Sequence, residues 1–246
     1  MIISKQNALI KEIRSLLSKK FRDSLKRYVV EGVKMVNEAF ALGQKVLTVV
    51  STEKCLEMLN VSNIDVTLVS EEVYASITDE KSPQGVLAVI QKPCPNQVDK
   101  NECCVMLDGV ADPGNVGTII RTMACAGYKH LLVTPDCADV FSPKAVRSSM
   151  SGIYHVNVVT VDREDLSTQL SQPIVVADMH GEDVFHTTVE KPFCLVIGNE
   201  ARGISQTVRS IAHKTVKIPM QTGMESLNAG VSAGILMYAL KNTIKE

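Results

Sequence analysis

Three glycine-containing loops of this 246-residue sequence carry polar residues whose types could do chemistry. Residues 112–121 are DPGNVGTIIR, residues 196–205 are VIGNEARGIS, and residues 218–230 are IPMQTGMESLNAG. Each loop follows an apolar run and precedes a helical pattern, which is a layout typical of loops that bind phosphate groups. A bound nucleotide is therefore the first hypothesis, and the spacing of these glycines tests it.

Neither of the first two loops passes that test. The first lacks the G-x-G-x-x-G spacing that lets backbone approach a pyrophosphate. In the second, Gly198 and Gly203 have the spacing of a P-loop, but Ile204 stands where the phosphate-binding lysine belongs. Glu200 within that loop would repel phosphates. The sequence thus argues against a dinucleotide-binding enzyme and against an ATPase or GTPase.

Taken together and in order, the three loops resemble the signature motifs of the SpoU (TrmH-like) RNA 2′-O-ribose methyltransferases of the SPOUT superfamily. The stretch ISKQNALIKEIRSL near the start also resembles the ribosomal-protein-like substrate-binding domain of many members. The positions that carry the three-motif resemblance are Asn115, Gly117, Arg121, Gly198, Glu200, Gly203, Ile218, Met220, Ser226, Leu227 and Asn228.

This resemblance implies an α/β fold: a C-terminal parallel-sheet SPOUT domain with a deep trefoil knot, preceded by a small α/β substrate-binding domain. It implies S-adenosylmethionine as the cofactor, bound in the knotted loops, and a homodimer whose site is completed across the interface. The small-residue face of a helix over 227–241 is expected to pack there. The sequence departs from the family at Ala229–Gly230, where Val-Ser is usual, and at Tyr238–Ala239, where Tyr-Glu is frequent.

By the same resemblance, five residues form the catalytic group. Arg121 is expected to bind the ribose-phosphate and orient the hydroxyl; because arginine stays protonated, the identity of the general base is left open. Asn115, Ser226 and Asn228 would orient Arg121 or the ribose, and Glu200 would support the knot near the reaction centre. The alternatives are helix caps for Asn115 and Ser226 and solvated charges for Glu200 and Arg121.

Four further positions are expected to enclose the cofactor through backbone groups and apolar contact. They are Gly198, Ile218, Met220 and Leu227. No metal is expected, because methyl transfer from a sulfonium needs none and the five histidines show no ligand spacing.

The elements that must position these loops follow from the apolar periodicity. Residues 4–42 have helical spacing, and strand-like runs follow at 46–50, 66–70 and 85–90. A proline-containing linker over 91–102 separates a domain of residues 1–92 from one of residues 103–246. In the second, near-continuous apolar runs alternate with helical patterns, which predicts a parallel sheet covered on both faces.

Composition limits the class of protein. The apolar fraction is 45%, charged residues make up 22%, and no apolar run is long enough to span a membrane. Seven cysteines without a Cys-x-x-Cys pair favour a reduced, cytoplasmic protein. The net charge is −1, yet residues 1–40 contain nine basic and four acidic residues, a balance of +5. That excess suits an RNA partner or a plain solvated helix face.

The leading hypothesis is a methyltransferase that acts on structured RNA, with ribosomal RNA favoured over transfer RNA because of the ribosomal-protein-like domain. A transfer RNA 2′-O-methyltransferase is the first alternative. An RNA-binding assembly factor that keeps the knot without turnover is the second, and a knotted relative that methylates a base is the third. Few aromatic residues (five Tyr, five Phe and no Trp) favour recognition of shape, phosphate and 2′-hydroxyl over base stacking.

Overall fold

A computed structural model of the chain describes residues 1–61, 65–221, 223 and 226–242. These residues form two compact units, of which the first contains residues 1–93 and 139–154 and the second contains residues 94–138 and the chain from 155 onward. Each unit has its own hydrophobic core. No helix among the described residues is both long and apolar enough to cross a membrane.

The first unit contains a four-stranded sheet in the order β1-β4-β2-β3, in which β4 is antiparallel to both neighbours and β3 is parallel to β2. Its elements before the linker are α1 (Ala8–Ser15), α2 (Lys19–Leu25), β1 (Arg27–Glu31), α3 (Val33–Ala41), β2 (Val46–Ser51), α4 (Glu53–Leu56), β3 (Val66–Leu68), α5 (Glu71–Tyr74) and β4 (Val86–Gln91). The three predicted strands are therefore confirmed, although β3 ends two residues early.

The first helix shows how this unit is held together. Asn7 caps α1 by accepting a hydrogen bond from the N–H of Leu9. Ile10, Ile13 and Leu16, three residues apart, are fully buried and pack against strand residues of the sheet. Burial of each such side chain contributes about 1.5–3 kcal/mol, so the helical periodicity in the sequence marks the face that builds the core.

The predicted helix over residues 4–42 is wrong between 27 and 31, where the chain forms β1. Lys26 ends α2 in the left-handed conformation. Tyr28, Val29 and Val30 are aromatic or β-branched, which favours a strand, and β1 pairs with β4 along its whole length. The apolar positions on either side satisfied helical spacing separately and hid the short strand between them.

The second unit is built on a six-stranded sheet in the order β10-β8-β9-β5-β6-β7, and every pairing in it is parallel. The elements from the linker onward are β5 (Cys104–Asp108), α6 (Pro113–Ala126), β6 (His130–Val133), α7 (Pro143–Ser149), β7 (Asn157–Thr160), α8 (Leu166–Gln169), β8 (Ile174–Asp183), β9 (Cys194–Gly198), α9 (Gln206–Ser210), β10 (Lys214–Lys217) and α10 (Ala229–Asn242), with 3-10 turns at Met150–His155 and Arg163–Asp165. The predicted parallel α/β domain is confirmed. Strand β7 was not predicted, because NVVT is too short to stand out as an apolar run.

Both faces of the central strands are buried. Cys104 and Met106 on β5 belong to a core cluster that includes Leu166 on α8 and Val208 on α9. The side chains between them point to the opposite face and are also fully buried. On that face α10 contacts β9 and packs along α6. This two-sided burial explains why the strands are near-continuous apolar runs.

Residues 139–154 pack within the first unit, although they connect two strands of the second. Arg22 donates to Asp139 at 2.7 and 2.9 Å, and little of either side chain is exposed. The ring of Phe141 lies 5.0 Å from that of Tyr28, and the amine of Lys92 lies 4.8 Å from its centroid. Loss of one partner of a buried ion pair is strongly destabilising, so this contact holds the segment in place. No pattern in the sequence indicated this contact, and the domain boundaries at 92 and 103 stay a prediction.

Candidate active site

A cavity of about 480 Å³ lies in the second unit, at the carboxyl ends of β9 and β10 and beside residues 177–179 of β8. Open parallel sheets bind their ligands at this edge. Its lining comes from these strands, the loops that follow β9 and β10, and the start of α10. Seven of the nine predicted site residues line it, namely Gly198, Glu200, Ile218, Met220, Ser226, Leu227 and Asn228. The structure therefore brings the second and third loops together as predicted, while the functional roles of these residues stay predictions. Residues 222, 224 and 225 of the third loop lie outside the described residues.

Gly198 lets the second loop fold back onto itself. A Cβ atom at this position would lie 2.6 Å from the carbonyl oxygen of Gly203 and 2.6 Å from the nitrogen of Ile204. Two backbone hydrogen bonds close the loop, from the N–H of Asn199 to Gly203 (3.0 Å) and from the N–H of Gly203 to Asn199 (2.8 Å). The side-chain amide of Asn199 also donates to the carbonyl of Gly109 at 2.7 Å, which ties this loop to the end of β5.

A chain of side-chain hydrogen bonds joins the three loops, and we call it the amide chain. Asn228 Nδ2 donates to Asn115 Oδ1 at 2.8 Å, and Asn115 Nδ2 donates to Glu200 Oε1 at 2.8 Å. Asn115 thus uses its oxygen toward one loop and its nitrogen toward the other, which fixes the orientation of its amide. The amide chain brings together three of the five predicted catalytic residues.

Glu200 holds the start of α6. Its carboxylate accepts hydrogen bonds from the N–H groups of Ala111 (3.1 Å) and Asp112 (3.3 Å), in addition to that from Asn115. A negative charge is favourable at the N-terminus of a helix. Burial opposes ionisation most strongly, but the bonds from Asn115 and the backbone together outweigh it and lower the pKa of Glu200 below its usual value. Glu200 is exposed to solvent, as the solvated-carboxylate alternative has it, and its carboxylate also organises the start of this helix.

The helix caps differ from those considered for the sequence. Asp112 caps α6 by accepting from the N–H of Asn115 at 2.9 Å. Asn228 caps α10, since its Oδ1 accepts from the N–H of Gly230 at 2.9 Å. Asn115 and Ser226 are therefore not the caps that they could have been. Ser226 is exposed and lies three residues before α10 begins.

Arg121 lies on the exposed side of α6, outside the cavity lining. It follows Asn115 by six residues, which is about 9 Å along a helix axis. Within the described part of the chain, its guanidinium has no hydrogen-bond or ion-pair partner. Arg121 therefore does not line the cavity of its own chain. The N–H groups of its guanidinium are available to donate to a phosphate.

The small-residue face of α10 packs on α6 of the same chain. A Cβ atom on Gly230 would lie 3.0 Å from Thr118, and one on Gly234 would lie 3.6 Å from Thr122. Gly230 is buried against α6 and Gly234 is partly exposed, so the expectation that this face packs at a dimer contact stays a prediction. Their small size sets how closely α10, and with it Asn228, approaches the first loop.

A buried ion pair beneath the loops was missed by the sequence analysis. Asp108 ends β5 with a fully buried side chain, and Arg163 Nε donates to it at 2.6 Å. Its second oxygen accepts from the N–H of Ser205 at 2.7 Å, at the end of the second loop. Arg163 also contacts Asp136, at 2.9 Å. The signal was present, since an aspartate that ends an otherwise apolar strand needs a buried partner.

The cavity suits a nucleoside-sized ligand. Its volume lies in the range of small-molecule sites, and its lining is mainly apolar with a few polar groups. The missing side chain at Gly198 leaves backbone open to a ligand at the rim. Among the described residues, no group of three or more His, Cys, Asp or Glu side chains could hold a metal ion. The donor set thus fits S-adenosylmethionine, which needs apolar walls and a few hydrogen bonds.

Comparison with known families gives two matches along the chain. The SpoU rRNA Methylase family matches residues 102–238, and the MRM3-like substrate binding domain matches residues 7–88. The chain is 28% identical to the 23S rRNA (guanosine(2553)-2′-O)-methyltransferase RlmP of Bacillus subtilis, over 98% of both chains. It is 29% identical to the 23S rRNA (uridine(2479)-2′-O)-methyltransferase of Streptomyces viridochromogenes, over 96% of this chain and 90% of that one.

Solved structures show the same similarity. The AdoMet-bound rRNA methyltransferase from Sinorhizobium meliloti superposes with a TM-score of 0.87 at 29% identity, over 100% of this chain and 98% of that chain. Since this similarity covers both units, the first unit is shared with that protein as well as the parallel-sheet unit.

Proposed function

The chain belongs to the SpoU rRNA methylase family, and from this premise we propose that it transfers a methyl group from S-adenosylmethionine to a ribose 2′-hydroxyl of ribosomal RNA. The observation that carries the proposal is the cavity, where the second and third family motifs meet and the amide chain ties them to the first. Ribosomal RNA is favoured because two relatives that match over at least 90% of both chains are named for 23S rRNA.

The experiment is a transfer assay with radiolabelled S-adenosylmethionine and ribosomal RNA stripped of its modifications. Label should appear in nucleotides whose 2′-oxygen is methylated, which resist alkaline cleavage. Label on a base, or on transfer RNA alone, would overturn the proposed substrate. If the protein does not bind S-adenosylmethionine in calorimetry, it is an RNA-binding assembly factor and the enzyme proposal fails.

Methyl transfer requires the protein to position the reactants rather than to form a covalent intermediate with them. When bound, S-adenosylmethionine supplies an electrophilic methyl group on a sulfonium that leaves as a neutral thioether. The chain must hold the ribose in line with that methyl group and lower the cost of removing the hydroxyl proton. Glu200 is engaged by three N–H donors that stabilise its ionised form, so its task is to hold the loops.

Arg121 is proposed to bind the phosphate beside the target ribose and to orient the 2′-hydroxyl of that ribose. Its exposed guanidinium can form two parallel bonds to a phosphate, which a lysine cannot reproduce. Arg121→Ala should abolish transfer while binding of S-adenosylmethionine changes by less than about twofold, and Arg121→Lys should recover only a small part. Turnover of Arg121→Ala at the wild-type rate would refute the role.

We further propose that the protein works as a homodimer in which Arg121 of one subunit serves the cavity of the other. Two observations support this: Arg121 lies outside the lining of its own cavity, and Val231 and Tyr238 leave an apolar strip exposed on α10, 50% and 45% accessible. Exposed apolar strips of this kind are favoured at subunit contacts.

Mixed dimers test that arrangement. Arg121→Ala subunits are combined with subunits whose cavity is blocked by Gly198→Val. If Arg121 acts across the interface, the mixed dimer has one complete site and regains activity that both parents lack. If Arg121 acts within its own chain, every site in the mixture lacks one part, and activity stays absent.

The first unit is proposed to bind the RNA. Several of its basic residues are engaged within the unit, including Arg22 with Asp139 and Arg27 with Glu12. Lys19 and Lys20 are exposed on α2 and free of ion pairs within the described ranges. They are therefore the better candidates for phosphate contacts than the overall excess of charge in residues 1–40.

Charge reversal at these lysines is a cleaner test than deletion of residues 1–92, because deletion would strip the surface on which residues 139–154 pack. Lys19→Glu with Lys20→Glu should weaken RNA binding about tenfold or more in a gel-shift titration and leave cofactor binding intact. One such reversal at exposed Lys45 is the control. If the reversal at Lys45 weakened RNA binding as much as the reversals at Lys19 and Lys20, the assignment of Lys19 and Lys20 to phosphate contacts would be wrong.

The trefoil knot and the cytoplasmic location belong to the same proposal. Support for the knot is the sheet order together with the convergence on one cavity of the loops after β9 and β10. A crystal structure in which the chain after β10 does not pass through the loop after β9 would contradict it. Support for the location is that all seven cysteines are unpaired, and cell fractionation with an antibody checks it.

A further inference from the structure

Among the described residues, three charged residues line the cavity, and their charges do not cancel. Asp178 and Glu200 are carboxylates, and Lys217 is the cation. Two negative charges and one positive charge leave this described part of the lining at −1. Glu200 is held by neutral N–H donors, so no cation compensates its charge among its described contacts.

Asp178 is the carboxylate that the motifs did not identify. It lies on β8 with its side chain only 12% exposed. One oxygen accepts from Arg209 Nη2 at 2.6 Å, and the other accepts from the N–H of His180 at 3.0 Å. Burial opposes its ionisation most strongly, but the bonds from Arg209 and His180 prevail and lower the pKa of Asp178.

The partner of Asp178 offsets its charge only in part. Arg209 is 41% exposed and is not part of the cavity lining. A ligand in the cavity therefore faces the carboxylate, while the guanidinium behind it is screened by water. Removal of either partner should change the potential in the cavity, in opposite directions.

The ligand that the cavity is proposed to take changes charge during the reaction. S-adenosylmethionine carries a sulfonium, an ammonium and a carboxylate, for a net charge of +1. Its product, S-adenosylhomocysteine, has a neutral sulfur and a net charge of zero. The two molecules otherwise share their adenosine and amino-acid groups. An electrostatic preference between them therefore acts only on the positive charge at the sulfur.

We propose that Asp178 is a specificity-determining residue that makes the cavity prefer S-adenosylmethionine over its neutral product, with Arg209 setting the strength of that preference. This inference rests on the proposed function, because it concerns the same cavity and the same cofactor. Its consequence is that the product is released more readily than its shared contacts alone would permit.

The effect can be bounded from Coulomb's law. The two charges are the carboxylate of Asp178 and the sulfonium of the cofactor, separated by about the width of the cavity. At a dielectric constant between that of a protein surface and that of water, their attraction favours S-adenosylmethionine over the product by roughly three- to tenfold in affinity. The ratio of the dissociation constants for product and cofactor should therefore fall by that factor in Asp178→Asn. In Arg209→Gln, which keeps the carboxylate, the same ratio should rise.

Calorimetric titration of the full chain with each of the two ligands measures these ratios without turnover. Asp136→Asn is the matched control, because that carboxylate lies outside the cavity lining and its ratio should equal that of the wild type. Added salt should also reduce the wild-type ratio. Thermal unfolding of each variant identifies any that fail to fold, and Arg209→Gln keeps the test open if Asp178→Asn does so.

The outcomes separate this inference from the function beneath it. Equal weakening of both ligands in Asp178→Asn would show a contact with their shared groups and overturn the charge preference. An unchanged ratio in both variants would overturn it as well, while the methyltransferase proposal stands. If the wild type binds neither ligand, it is the proposed function that fails.

Discussion

Replacement of Gly198 by alanine should disrupt the cavity more than its single methyl group suggests. The new Cβ atom would lie 2.6 Å from both the carbonyl oxygen of Gly203 and the nitrogen of Ile204, whereas ordinary contact begins at 3.4 Å. Both atoms belong to backbone, so no side chain can rotate away. The carbonyl carbon of Gly203 would be nearer still, at 2.4 Å, so the two strands of the loop must separate by about 1 Å.

The size of the effect follows from what that separation breaks. Overpacking of a well-packed site costs about 1–3 kcal/mol. The two hydrogen bonds between Asn199 and Gly203 contribute about 1 kcal/mol each and would be weakened together. We expect a loss of about 2–4 kcal/mol in the free energy of unfolding. Because this loop lines the cavity, affinity for S-adenosylmethionine should fall by about tenfold or more, or about 1.4 kcal/mol.

Urea unfolding and calorimetric titration measure the two quantities. Gly127→Ala is the control: it has a φ of +82°, its nearest neighbour would be Lys241 at 3.8 Å, and it ends α6 away from the cavity. It should lose about 1 kcal/mol of stability through backbone strain and keep its affinity. Wild-type affinity in Gly198→Ala would refute the argument that the closed loop shapes the site.

Three further changes probe the elements around the cavity. Asp108→Asn should lower the free energy of unfolding by about 3–5 kcal/mol, because its partner Arg163 would keep a largely buried charge. Asp136→Asn should cost less than about 1 kcal/mol. Equal losses of the two variants in urea unfolding would contradict this expectation. The pKa of Glu200 lies below its usual value of 4.5 in the folded state, so the stability it contributes is present above pH 4.5 and is lost as the pH falls through the folded value. The stability gap between wild type and Glu200→Gln should therefore narrow as the pH falls below 4.5, and a constant gap from pH 7 downward would show that its charge is irrelevant. Gly234→Ala should stabilise α10 by up to about 1 kcal/mol and raise Tm, whereas Gly230→Ala, whose Cβ meets its neighbour at 3.0 Å, should gain less or lose stability.

Periodicity predicted the sheet of the second unit because its strands are buried on both faces, and such strands are apolar throughout. The same reasoning failed at β1 and β7, each of four or five residues. A short strand is stabilised by its neighbours, here β4 and β6, and those pairings are set by residues far away in the chain. The packing of residues 139–154 in the first unit was hidden for the same reason.

The site was predicted from motifs, which name residues but not their contacts. The motifs identified Asn115, Glu200 and Asn228, and the structure shows how they bond to one another. They did not identify Asp108 or Asp178, whose importance depends on burial and on distant arginine partners. Spacing in a sequence cannot reveal such pairs, because partners and burial exist only once the sheet has formed.

The amide chain explains why residues on three separate loops behave as one site. Asn228 lines the cavity and caps α10, and through Asn115 it reaches the carboxylate that holds the start of α6. Arg121 is carried by that same α6, whose start and whose contact with α10 are both fixed by these bonds and by close helix packing. A displacement of the third loop therefore moves a partner of Asn115, near the start of α6. The cavity and the helix that carries Arg121 are thus positioned by shared bonds, so each loop needs its own polar residue in spite of the cost of ordering it.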